Sequence, residues 1–313
     1  MNRWNYVLVR LLQIVPTFFI IMFIVFLMVR LLPGDPASAI LGDRATEADI
    51  ARINAQLGLD KPILVQFGIF IRDFFQGNLG NSISYRLPVS TLILQRVPVT
   101  IFLTLYGAFL AVAMAVPLAF VAALRRNSAV DNAIRAVFQV GLSLPTFYIG
   151  LVLLTVLGAQ LGLFPIGGYG ETFTDHLYHL FLPALTLGFN LAAVLMRTLR
   201  ASIIEILTAE YVDFARAKGM ANRVVLLKHV LRNALISTIT LLGLNIGALF
   251  GGAVITETVF AIPGVGRLMV DAIFGRDYPT VVGLTLTFAI LVSLVFLLTD
   301  LAYAQLDPRV DMA

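Results

Sequence analysis

The chain has 313 residues, 59% of them hydrophobic and 13% charged, with a formal net charge of +4 and a mean hydropathy of +0.92. A soluble domain carries about 25% charged residues, so this composition places most of the chain in lipid, and the small net charge gives no reason to expect nucleic acid as a partner. The absence of cysteine rules out a disulfide framework and a thiolate metal site, and says nothing of compartment.

Crossing a hydrocarbon core takes about 20 apolar residues. Six stretches qualify, near 9–31, 98–124, 134–162, 180–200, 236–258 and 281–303. The first follows Arg3 and Arg10 and superficially resembles a signal peptide. It is too long for one, runs to Leu32 and lacks a small-x-small cleavage site, so it reads as a retained span. Pro16, Pro117 and Pro145 fall inside spans and predict bends whose freed carbonyls neighbours must satisfy. Pro98 and Pro183 fall near span starts, where proline is accommodated.

The connection 33–97 after the first span is long, mixed in charge and patterned as folded. Thr46 and Asp49 form a capping box ahead of Ile50, Ile53 and Leu57, with Gly58 as the stop. A second amphipathic helix follows Pro62, with Leu64, Phe67, Phe70, Ile71 and Phe74 on one stripe and Gly77 ending it. These apolar faces are expected to pack on the outer mouth of the bundle; direct contact with an external partner is the alternative.

Orientation follows from basic residues in the short loops. With the amino terminus inside, the inner side collects Arg3 and Arg10, then Arg125, Arg126 and Arg135, then seven basic residues between Arg197 and Arg232, then Arg309. On the outer side, loop 163–179 has no Lys or Arg, and 259–280 has only Arg267 and Arg276. Six spans with both termini cytoplasmic is the expected topology.

The central parts of these spans carry no ionisable side chain; Arg30, Glu257 and Asp300 sit toward ends, where long side chains snorkel. A proton- or sodium-coupled carrier is usually marked by mid-depth carboxylates or paired broken helices. Neither is visible, nor is a channel filter motif. The histidines His176, His179 and His229 fall in loops, which leaves no nucleophile and base for an intramembrane enzyme. There is no G-x-x-x-x-G-K-[ST] phosphate loop, so ATP hydrolysis would belong to another subunit. Asp175, His176 and His179 have metal-ligand spacing, but two outer-loop histidines without a fixed scaffold read as incidental, and no metal site is expected.

Polar and small residues in the spans are pathway or packing candidates. Gly243, Gly247 and Gly251 lie on one face of the fifth span, either for packing within the chain or for a face that lines a path or meets a partner. Asn245, nearly opposite by helical angle, and Asn190 in the fourth span either face water or make interhelical hydrogen bonds. Pro263, Gly264 and Gly266 make an irregular outer turn between the last two spans, a plain connection or an outer gate.

The stretch Arg197–Ala234 is the longest strongly basic segment and reads as helix, glycine, helix. The pattern predicts a helix over Ser202–Lys218 with Ile203, Ile206, Leu207, Phe214 and Ala217 along one side. Gly219 then supplies a tight turn, and a second helix starts at Asn222 and runs into the fifth span. Ala215 and Ala217 before the glycine allow close helix approach. A rigid cytoplasmic corner of this kind can dock into a cleft on a motor and transmit a rigid-body shift.

Asp213-Phe214-Ala215, three positions, then Gly219 resembles the EAA loop of ABC importer permeases, the coupling helix that contacts the ATPase. Glu210-Tyr211-Val212, Ala215-Arg216-Ala217-Lys218-Gly219 and His229 to Ala234 resemble the dipeptide/oligopeptide (and nickel) branch of binding-protein-dependent permeases. Asp for Glu and Phe for the first Ala depart from the general pattern and suit that branch. The likeness extends over essentially the whole chain, through Arg10–Thr17, Arg30–Pro36, Gly77–Ser82, Ser143–Phe147, Glu257–Gly266 and Arg276–Pro279.

The resemblance implies an all-α integral membrane protein of the bacterial inner membrane. It would have six transmembrane helices, the type I ABC importer permease fold, and a small helical extracytoplasmic insertion after the first span. The organisation would be 1–32 for the cytoplasmic amino terminus and first helix, 33–97 for the insertion, 98–303 for a five-helix core with coupling loop 201–235, and 304–313 for a cytoplasmic tail. Glu210, Tyr211, Asp213, Ala215, Arg216, Ala217, Lys218 and Gly219 would be the ATPase-coupling residues, with Arg216 and Lys218 read equally as solvated topology charges. His229 would serve structure rather than the ATPase. Expected partners are a homologous second permease, two ABC ATPase subunits that bind ATP and magnesium, an extracytoplasmic solute-binding protein, and lipid. No cofactor and no catalysis belong to the chain itself. The expected solute is a di- or oligopeptide, with a nickel chelate, glutathione, opine or oligosaccharide as alternatives. An exporter of the same superfamily is disfavoured by the extended loop string.

Overall fold

The computed structural model describes residues 3–31 and 61–306. The expected capping box at Thr46 and Asp49, the helix stop at Gly58 and the carboxy-terminal tail lie outside the described residues. Helix α1 (Arg3–Leu31) and α2 (Ile63–Phe75) precede α3 (Val89–Leu124). Next come α4 (Ala129–Ser143) and α5 (Thr146–Leu153), the latter running into a π-helical turn at Leu154–Gln160. Then follow α6 (Phe173–Leu207) and the short α7 (Glu210–Ala217). A π-helical stretch at Val225–Leu231 leads into α8 (Arg232–Val259), and α9 (Val265–Phe274) and α10 (Tyr278–Leu306) complete the described chain.

Helical segments stand where all six spans were expected. Among the described residues, α3, α6, Leu241–Val259 of α8 and Tyr278–Thr299 of α10 are long and apolar enough to cross a bilayer, and α4 with α5 makes a fifth if the bent pair is one span. Helix α1 is 29 residues long and contains the apolar stretch Leu12–Met28. The third span is not the single kinked helix expected over 134–162: its two halves meet at 109°. Pro145 explains the break, because it cannot donate to the preceding turn and it drives Leu144 into the extended conformation seen there (ψ 139°). Pro98 and Pro183 lie well inside α3 and α6, since both helices begin earlier than the hydropathy suggested. Thr172 starts α6 with a reciprocal capping box to Asp175, so His176 and His179 belong to that helix and not to a loop.

The chain divides into two compact units. The unit formed by Trp4–Pro98 and Leu268–Ser293 packs Phe67, Phe70, Ile71 and Phe74 of α2 against Met22 and Val25 of α1. The ring of Phe67 lies 5.1 Å from Phe23, and Phe70 lies 5.7 Å from Phe26. The Phe stripe of α2 is thus half-buried along α1, while Leu64 is left exposed. The same unit joins two separated motifs: buried Asp277 accepts hydrogen bonds from the Ser82 hydroxyl and from the Ser84 and Thr280 amides. Burial raises the Asp277 carboxyl's proton affinity, but those hydrogen bonds outweigh it and hold the group below the usual carboxylate range. The stability it confers is therefore present above the unfolded carboxylate range and lost as pH falls through the lowered value.

The other unit, which among the described residues comprises Arg3, Val99–Arg267 and residues 294–306, is organised around α6. About 67% of the apolar window of α6 is buried, against 39% for α3 and 17% for α10. Its partner α3 presents Gly107, Ala111, Ala115, Ala119 and Ala123, one small residue per turn, all buried. The two backbones meet so closely that a Cβ on Gly188 would collide with the Gly107 carbonyl oxygen. At the far end of this seam Arg200 of α6 donates from Nε (2.7 Å) and Nη2 (2.6 Å) to the carboxylate of Asp131 on α4. Asp131 is fully buried and also accepts from the Asn127 amide at 2.9 Å.

Breaking this bidentate pair strands a charge, so Asp131→Asn should destabilise the chain by about 3 kcal/mol, whereas replacing both partners with apolar residues should cost less. Thermal survival of the monodisperse peak in detergent reads the difference. Gly188→Ala should cost about 1–3 kcal/mol by forcing α3 and α6 apart. Gly251→Ala is the matched control, because its added Cβ meets nothing within 4 Å.

Candidate functional site

The basic elbow is built differently from the single helix expected over Ser202–Lys218. Helix α6 runs unbroken to Leu207 and stops at Thr208, whose hydroxyl turns back to the Glu205 carbonyl. The chain re-enters helix at Glu210, with Glu210 and Asp213 in the first turn of α7, where their charge complements the helix dipole. The end of α7 is a Schellman motif: the Met220 amide donates to the Ala215 carbonyl (3.3 Å) and the Gly219 amide to the Arg216 carbonyl (2.9 Å). Gly219 sits at φ +76° with nothing within 4 Å of where a Cβ would be. The turn at Gly219 therefore requires the left-handed backbone and is not limited by room.

Val212 and Ala215 turn inward and join a core with Val225 and Val230. Tyr211, Phe214, Ala217, Arg216 and Lys218 face outward. Phe214, expected along one side with Ile203, Ile206 and Leu207, is 68% exposed, an aromatic knob on an anchored helix. Arg216 makes only a 3.3 Å exposed ion pair with Asp213. Asn233 ties the elbow to the next helix by donating to the Tyr211 hydroxyl (3.2 Å).

The two asparagines expected at depth are brought together. Asn190 and Asn245 line one cavity of about 200 Å³ with Thr146, Leu187, Ala248 and Gly252. The Asn245 amide donates to the Leu241 carbonyl of its own helix (2.8 Å), leaving its carbonyl oxygen available to the cavity. The glycine stripe faces elsewhere. A Cβ on Gly243 would strike Thr299, one on Gly247 would press on the Phe296 ring, and Gly251 meets open space. Gly243 and Gly247 are packing residues against α10, and Gly252 is the glycine of this helix that reaches the cavity.

Gly264 and Gly266, in the turn that begins at Pro263, lie against a residue that hydropathy placed at a snorkelling end. Glu257 is fully buried. Its Oε1 accepts from the Thr100 hydroxyl (2.6 Å) and its Oε2 from the Arg267 amide (3.0 Å), while the Val265 amide donates to the Thr100 oxygen (2.8 Å). The carboxylate thus caps the start of α9. A Cβ on Gly264 would collide with the carboxylate, and one on Gly266 with the Val254 backbone. The spacing of Glu257 from the Pro-Gly-x-Gly turn was the available signal for this cap. His176 and His179 each donate from Nδ1 to a loop carbonyl, of Tyr169 (2.8 Å) and Gly167 (2.9 Å). Among the described residues no cluster of three or more potential metal ligands occurs.

The family described as binding-protein-dependent transport system inner membrane component matches residues 115–312, and its N-terminal companion matches residues 3–104. The chain is 40% identical over 306 residues to the glutathione transport system permease protein GsiC of Escherichia coli K12, covering 98% of each chain. It is 41% identical to the protein of that name from Pectobacterium atrosepticum over the same coverage. Among solved structures it resembles an inward-facing MetNI methionine ABC transporter, with a TM-score of 0.57 at 17% identity, covering 69% of this chain and 96% of that one. With its fold and nearly its full length matched, the chain belongs to the binding-protein-dependent inner membrane permeases and is a multi-pass permease subunit of an ABC importer with the type I fold.

Proposed function

We propose that this permease forms half of a translocation path for short peptides, glutathione among them, and is moved by partner ATPases through α7. The observation that carries the coupling is Phe214. A large ring 68% exposed on a short helix whose opposite face is locked into the core has the form of an interface anchor. Two ATPase subunits holding ATP and magnesium, a homologous second permease and an extracytoplasmic binding protein complete the importer. Both termini would lie in the cytoplasm, and no chemistry would occur in this chain.

The mechanism follows from rigidity. The Schellman turn at Gly219, the Asn233–Tyr211 contact and the buried Val212 and Ala215 let α7 move only with α6 and α8. Closure of the motors would then rotate these helices as a body and open or close the cavity between them. Asn190 and Asn245 offer that cavity neutral donors and acceptors, the chemistry that matches a peptide bond and is indifferent to the net charge of its bearer. The glutathione permeases that the chain resembles support a peptide-like solute, and delivery by the binding protein would set its identity.

Gly219→Val forces a β-branched residue into the left-handed region, while asparagine tolerates it. Uptake of labelled glutathione or dipeptide should fall about tenfold or more in the valine variant and stay within about twofold in Gly219→Asn, at equal membrane insertion. Phe214→Ala should weaken binding of the ATPase subunits by about thirtyfold without affecting helix content. Unchanged uptake in both Gly219→Val and Phe214→Ala, or ATP-independent flux through the chain alone, overturns the coupling. Asn190→Leu combined with Asn245→Leu should lower transport by about tenfold with assembly intact, because polar solute groups would then lack partners.

A further inference from the structure

We infer that the cavity between α4 and α6 is a binding site for a phosphate-bearing anion, supplied by an anionic lipid headgroup or by a soluble phosphate. The cavity is about 570 Å³ and is lined by Arg126, Arg135, Arg197 and Arg200 with a single acid, Glu205. Arg200 is neutralised by the buried Asp131. Arg126, Arg135 and Arg197 are exposed and make no ion pair among the described residues. Two positive charges are therefore left in excess over the carboxylates of the cavity.

Orientation alone does not account for this arrangement. The charge bias of inner loops asks for basic residues near span ends, not for their convergence. Arg125 precedes Arg126 in the chain and does not line the cavity. The arginines come from two helices and the turn between α3 and α4, and the Asp131–Arg200 pair that joins those helices fixes their spacing. Guanidinium groups converging on one space suit phosphate oxygens, which they grip bidentately. The remaining wall is apolar, with buried Phe138 and Met196 beside Leu142. A basic rim over an apolar wall matches the boundary between a headgroup and its acyl chains. A soluble phosphate uses only the rim.

The test uses the full chain in nanodiscs and rests on its membrane placement alone, so it succeeds or fails independently of the import reading, which uptake measures. Lipid retention is followed by native mass spectrometry in mixed phosphatidylglycerol and phosphatidylethanolamine discs, and inorganic phosphate is titrated in phosphatidylethanolamine-only discs. Arg126→Gln, Arg135→Gln and Arg197→Gln are made singly and together, leaving Arg200 and Asp131 untouched. Each removal should weaken retention by about fivefold. The control triple Arg125→Gln, Arg223→Gln and Lys228→Gln removes the same charge from outside the cavity and should retain lipid as the unaltered chain does. Selective loss of phosphatidylglycerol in the cavity variants assigns the headgroup as source; loss of phosphate binding without loss of lipid assigns the soluble anion. Equal retention in the cavity and control triples, or no preference for phosphatidylglycerol together with no phosphate binding, overturns the site. Should the cavity triple fail to fold, the same comparison is made with the single variants.

Discussion

Close approach of two backbones is the constraint on which the larger unit rests. Lipid supplies no hydrophobic drive between helices, so association depends on contact area and on buried polar pairs. One small residue per turn from Gly107 to Ala123 lets α6 lie against α3 with Gly188 almost touching the Gly107 carbonyl. The placement of everything else in that unit follows. Asn190 and Leu191 follow Gly188 within one turn and line the cavity, Arg200 reaches Asp131, and the end of α6 delivers α7 on an unbroken 35-residue rod.

Buried polar groups then fix what small residues only permit. Asp131 with Arg200, Glu257 with Thr100, and Asp277 with Ser82 each join segments far apart in sequence. In a protein interior such pairs cost desolvation and gain little net stability when intact, but their loss is severe, and that asymmetry favours one arrangement over its competitors. The capped start of α9, at the carboxy-terminal end of α8, is a product of this kind of selection.

Much of this was legible in the sequence, for physical reasons. Hydropathy located six helical segments because lipid demands long apolar runs, and the elbow's glycine announced itself because few other residues adopt positive φ. Asn190 and Asn245 stood out as amides at apolar depth, and the structure brings them to one cavity. Other features hid. Periodicity did not reveal the stop at Thr208, because the residues on either side are good helix formers and only the Schellman-ended α7 shows that the helix restarts. The exposure of Phe214 was not legible because an exposed aromatic and a buried one look alike in a pattern. Glu257 was read as a snorkelling end because its partners, Thr100 and the amides beyond Gly264, are supplied by tertiary folding. The alanine ladder on α3 was in plain view, yet a search for glycine spacing alone passes over it.

The sharp corner at Pro145 bears on the lipid as well as on the protein. Turned by 109° from its predecessor, the stretch Thr146–Gln160 has 15 residues, a rise of at most about 22 Å against a hydrocarbon slab of about 30 Å, and is too short to cross an undeformed bilayer by itself. A rod that short leaves its surroundings two ways to comply: acyl chains beside it compress, or another polypeptide takes their place.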